Sequence, residues 1–93
     1  MNEFEIMEKA NKISTQVTLL SAHRQFREAI DYGKAELLKH PEFSDEDKTI
    51  VYIPMMKAAA EAGFRHEAVE YAKKVAITDP DMPSVKKVFK LYL

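Results

Sequence analysis

Two segments of the chain are nearly the same segment. REAIDYGKAELLKHP occupies Arg27–Pro41, and HEAVEYAKKVAITDP occupies His66–Pro80, 39 residues later. Glu28 matches Glu67, Ala29 matches Ala68, Ile30 matches Val69 and Asp31 matches Glu70. Tyr32 then matches Tyr71, Gly33 matches Ala72 and Lys34 matches Lys73, and both segments close on a proline, Pro41 and Pro80. A unit that cannot bury its apolar face alone does so by stacking on its copy, so internal repetition narrows the fold more than composition does. Ala29 with Gly33, and Ala68 with Ala72, stand four apart on one helix face, where small side chains let a neighbouring helix approach closely.

Periodicity completes the unit. Ile6, Ala10, Ile13, Val17 and Leu20 step by three and four, which predicts a helix over about 3–22. Asn2 followed by Glu5 has the pattern of a capping box. Phe26, Ala29, Ile30, Gly33 and Leu37 predict a second helix over about 25–39, ended by Pro41. Ser44, followed by Asp45, Glu46 and Asp47, is the N-cap and acidic first turn of a third, over about 45–62, with Gly63 as a left-handed C-cap. Either Pro54 kinks that helix, or a separate turn precedes a helix that starts near Ile53; the shared face of Ile50, Ile53 and Lys57 favours the kink. Ala68, Val69, Ala72, Val75 and Ala76 predict a fourth helix over about 65–77. Pro83 opens a fifth over about 83–92, with Val85, Val88, Phe89 and Tyr92 inward. The expected fold is therefore all-α, with antiparallel helical hairpins stacked in one 1–93 domain.

At this point the chain resembles the tetratricopeptide repeat family. The likeness rests on the alanine early in each second helix (Ala29, Ala68), the closing prolines (Pro41, Pro80) and the Asp79–Pro80 ending. The family's early aromatic maps to Tyr52, with Ile13 at that place in the first unit. Two departures stand out. Val17 and Met56 replace the usual mid-helix glycine, and the period is 39 against about 34 residues. The extra residues fall in EFSDEDK. The resemblance implies a short superhelix with unit one at about 10–41, unit two at about 49–80 and a capping helix at about 83–92. It also implies that first helices line a concave groove for a peptide or helix of a partner protein. The partner-binding residues it implies are Asn11, Ser14, Thr18 and Ser21 in unit one, and Ile50, Ile53, Lys57 and Glu61 in unit two.

The residues themselves allow more than one reading of those strips. Asn11, Ser14, Thr18 and Ser21 form a narrow line of small polar side chains, suited to hydrogen-bonding a peptide or simply to facing solvent. Ile50 and Ile53 either offer an apolar patch to a partner or lie under the last helix. A carboxylate clamp of the kind some such repeats carry is not expected, because Thr18 and Lys57 stand where it needs asparagine. The size and architecture are like those of small helical-repeat chaperones of bacterial secretion systems.

Composition removes other classes. With no cysteine there is no disulfide framework or thiolate metal site, and the spacing of His23, His40 and His66 fits no metal pattern. Glycine only at 33 and 63 leaves no phosphate-binding loop. Ser21 near His23 lacks any third member or oxyanion site, so no catalytic residue, cofactor or metal is expected and the chain reads as a non-enzyme. A net charge of −1 lacks the basic excess of nucleic-acid binders, and only the lysines of the last third keep that option open. The opening MNEFEIMEK does not read as a signal peptide, and no stretch reads as a membrane span, so a cytoplasmic protein is expected. The acidic segment Glu42–Asp47 and the basic last helix leave a homo-oligomer, head-to-tail or dimeric, as the alternative to an adaptor or chaperone.

Overall fold

The computed structural model describes residues 2–93. Five helices follow in order: α1 Glu3–Ala22, α2 Phe26–Lys39, α3 Asp45–Ala62, α4 Arg65–Thr78 and α5 Pro83–Tyr92, with no strand among the described residues. α1 packs on α2 and α3 on α4, so the chain forms two antiparallel hairpins followed by a single helix. The hairpins stack through α1 on α3 and α2 on α3, and α5 closes against α4. The shortest principal extent of the Cα trace, 18 Å, fits two helix layers spaced by about 8–10 Å.

The repeat holds in three dimensions beyond the residues that look alike. α4 begins and ends 39 residues after α2. The turns share the same register. At the end of α1, Arg24 N–H donates to Ser21 O (2.9 Å) and Gln25 N–H to Leu20 O (2.9 Å). At the end of α3, Gly63 N–H donates to Ala60 O (3.2 Å) and Phe64 N–H to Ala59 O (2.8 Å). Arg24 (φ 61°) and Gly63 (φ 78°) both take the left-handed conformation that ends a helix in this way. Glycine adopts it freely, whereas for arginine it is strained. The connections out of the hairpins match too: Phe43 N–H donates to His40 O, and Met82 N–H to Asp79 O.

Side-chain caps fix the starts of α1 and α3. Asn2 Oδ1 accepts from Glu5 N–H at 2.9 Å. The full reciprocal box forms at Ser44, whose hydroxyl accepts from Asp47 N–H while the Asp47 carboxylate accepts from Ser44 N–H. α3 runs unbroken through Pro54, so Pro54 lies inside a helix and does not start one.

α3 is the central element, in contact with α1, α2 and α4. Val51, Met55, Met56, Ala58 and Ala59 are fully buried, and their spread around the helix serves several neighbours at once. Val17 and Met56, which replace the expected glycine, are both fully buried. Gly33 of α2 lies tight against the Met55 side chain of α3. A Cβ placed on Gly33 would fall 2.5 Å from Met55 Sδ and 2.9 Å from its Cγ. Ala29, one turn before, is also fully buried. The linking segment between hairpins is tied down by Phe43, which is 4% exposed and stacks on His40 with ring centroids 4.9 Å apart.

Two substitutions test this account through denaturant midpoints. Gly33→Val drives branched methyl groups into Met55 and is expected to destabilise by about 1–3 kcal/mol, the usual cost of overpacking. Arg24→Gly relieves the left-handed strain and is expected to stabilise by up to about 1 kcal/mol.

Candidate functional site

The first helices α1 and α3 lie side by side, and α5, packed on α4, also borders α3. Tyr92 Oη donates to Ala60 O at 3.3 Å, which fixes α5 against α3. Between α1 and α3 lies a depression of about 380 Å³, lined by Thr18, Ser21, Ala22, Arg24, Pro54, Lys57 and Glu61. Between α3 and α5 lies a second, of about 410 Å³, lined by residues that include Met56, Lys57, Ala60, Glu61, Lys87 and Leu91. Lys57 and Glu61 belong to both. Four residues apart, they form the ridge between two adjacent hollows on one face of the row.

Four of the eight predicted binding residues therefore meet in the first hollow: Thr18, Ser21, Lys57 and Glu61. Thr18 Oγ1 already donates to Ser14 O at 2.9 Å, so its hydroxyl offers a ligand only acceptor capacity. Asn11 is exposed and Ser14 half-buried on the same strip of α1, and neither lines the two hollows. Ile50 and Ile53 are half-buried and packed against the core, so they serve packing at least as much as any surface. Pro54 has no N–H, which leaves the Ile50 carbonyl without its usual helical donor on the stripe that carries Lys57 and Glu61.

Toward the other end of α1 the same strip turns apolar. Phe4 (64% exposed) and Met7 (41%) line a depression of about 600 Å³ at the starts of α1 and α3. Its other walls include Glu3, Glu42, Glu46 and Asp47. The three- and four-residue stepping from Phe4 through Met7 to Asn11 marks this extension, but sequence reasoning counted only its polar part. On the far side of the molecule a depression of about 640 Å³ between α4 and α5 is lined by Arg65, His66, Lys73 and Lys74 together with Glu70. None of the eight predicted residues contributes to it.

Sequence reasoning also missed what joins the second helices. Arg27 Nη1 and Nη2 donate to the Glu67 carboxylate at 2.8 and 2.6 Å, and Lys34 Nζ donates to it at 3.2 Å. The Arg27 guanidinium also lies 4.5 Å from the centroid of the Phe64 ring. Glu67 had registered only as the match of Glu28. The signal was the pair of basic residues at 27 and 34, one on each side of the small residues that bring helices together.

No protein-family model, no curated protein and no solved structure matches this chain. Among the described residues no helix is long and apolar enough to cross a membrane.

The Glu67 carboxyl is held at about 2, below its ordinary 4.5, chiefly by the hydrogen bond from Arg27, with Lys34 adding to it and partial burial opposing. A depressed carboxylate contributes stability above its unfolded value and loses it as pH falls toward the folded one. The wild-type chain is therefore expected to lose stability between about pH 4.5 and about pH 2. Glu67→Gln is expected to be less stable at pH 7 and to decline less steeply in that window. Urea midpoints across the pH range measure both, and an unchanged slope would refute the assignment.

Proposed function

We propose that this chain is a protein-interaction module, a small tetratricopeptide-like adaptor or chaperone that receives a peptide or helix of a partner across the α1–α3–α5 face. The observation that carries the reading is the pair of adjacent hollows sharing Lys57 and Glu61. A ridge with one cation and one anion at its crest gives an extended ligand a fixed direction, since its own charges must face the opposite sign. The hollows on either side give room for side chains, as peptide grooves do. The repeated hairpins support the family likeness, and the placement of the hollows among first helices agrees with what that likeness implies. The mixed charge around Arg65, Lys73 and Lys74, with Glu70 among them, and the net charge of −1 give nucleic acid weaker support.

Peptides selected from a random display library on the intact chain provide the test. Exchanging the ridge charges with Lys57→Glu and Glu61→Lys keeps composition and leaves both side chains exposed. The selected peptides are expected to bind the exchanged variant at least about tenfold more weakly, with helicity by circular dichroism unchanged. Ser21→Trp, which fills the first hollow, is expected to compete with them. Equal binding to both variants removes the face from consideration. Ile50→Ser and Ile53→Ser are unsuitable here, because those side chains pack on the core and report on folding.

A further inference from the structure

The two ends of the helix row carry complementary surfaces. At the start of α1 and α3, Phe4 and Met7 stand exposed in a depression whose charged walls are Glu3, Glu42, Glu46 and Asp47. Among the described residues no basic one lines it, and His40 Nδ1 stands 3.0 Å from the Glu42 carboxylate at its edge. At the other end is α5. Successive helical residues turn by about 100°, so the arc opposite Val85 and Val88 runs through Leu93, Lys86, Lys90, Lys87 and Leu91. Leu91 is 63% exposed and Leu93 73%, on either side of a band of three lysines. One surface is apolar with an acidic rim, and the other is basic with apolar edges.

We infer that a second copy of this chain docks the outer face of its α5 into the acidic mouth at Phe4 and Met7, giving head-to-tail association. The occupant follows from complementarity. The lysine band matches the four carboxylates of the mouth in sign, and the exposed leucines match Phe4 and Met7 in chemistry. The outer face of α5 points away from its own core, so the mouth it meets belongs to another copy. The two surfaces are different patches, which makes the contact heterologous and able to propagate. One helix in one mouth is a small interface, so the association is weak and depends on salt. It covers Lys87 and Leu91, which also line the α3–α5 hollow, and leaves only the Thr18–Lys57–Glu61 hollow of each copy open. That hollow lies about 20 Å along α1 from Phe4, taking 1.5 Å per residue. Peptide capture at the hollow therefore stands or falls separately.

Sedimentation velocity on the whole chain tests the inference, from about 10 μM to about 1 mM protein in about 20 mM salt and in about 0.5 M salt. Expected is an average mass that rises with concentration at low salt and returns to the single-copy value at high salt. Glu3→Lys with Glu46→Lys cancels the net charge of the mouth, two lysines against Glu42 and Asp47, and leaves α5 basic. Lys86→Glu with Lys90→Glu gives one with an acidic mouth and an acidic α5. Each is expected to remain single, and their equimolar mixture is expected to associate again. A wild-type chain that stays single throughout at low salt overturns the proposal. So does association that persists in either variant, or a mixture that stays single while both variants keep wild-type helicity. If a charge reversal unfolds the chain, Lys86→Gln with Lys90→Gln carries the test: association at least about tenfold weaker is expected, and unchanged association overturns the proposal.

Discussion

Gly33 stands against Met55, and the rest of the stack depends on that contact. No other side chain at 33 leaves Met55 its place, because a Cβ would already overlap the thioether. Through this contact α2 seats on α3, which also packs on α1 and α4. Met55 is the flexible apolar side chain that fills the gap left by the missing Cβ. The equivalent site in the second unit is Ala72, fully buried but with a Cβ. The two hairpins are thus alike in register and unlike in the residue that stands at this site.

The elements carrying strong periodicity were legible in the sequence. Apolar spacing located all five helices, Ser44 and Gly63 marked the ends of α3, and the shared face across Pro54 pointed to one continuous helix. The repeat was legible only where side chains agree. Its continuation through Arg24 and Gly63 was hidden, because a backbone conformation is repeated there by unlike residues. A left-handed arginine gives no local signal; tertiary packing of the hairpin imposes it against propensity. Phe43 was hidden for a similar reason. It lies in a polar linker without periodicity, yet it is buried in the core and stacks on His40.

The candidate site divides the same way. Helical spacing placed Thr18 with Ser21, and Lys57 with Glu61, on their own helices, and the hollow unites the two pairs. Spacing could not tell which part of each strip faces the other helix, because that depends on the axial offset between α1 and α3. Asn11 and Ser14 share the strip of Thr18 but lie nearer the helix start, away from the hollow. Ile50 and Ile53 share the stripe of Lys57 but lie where α3 is packed against its neighbours.

Freedom to vary separates the two kinds of helix. A second helix is bound on two sides. α2 meets the core through Ala29, Ile30 and Gly33 and meets α4 through Arg27 and Lys34 on Glu67. Changing one side chain there disturbs either close packing or a shared carboxylate, and that double restraint is why α2 and α4 read as copies. α1 is bound less closely: Ala10, Ile13 and Val17 are its only fully buried positions among the described residues, and its opposite arc is open. Residues on that arc can change without cost to the stack, so chemical differences between the units collect along the first helices. Recognition has to be encoded where packing leaves a choice. If the chain binds a partner as proposed, that is the row from Phe4 to Ser21 on α1 and the Lys57–Glu61 ridge beside it.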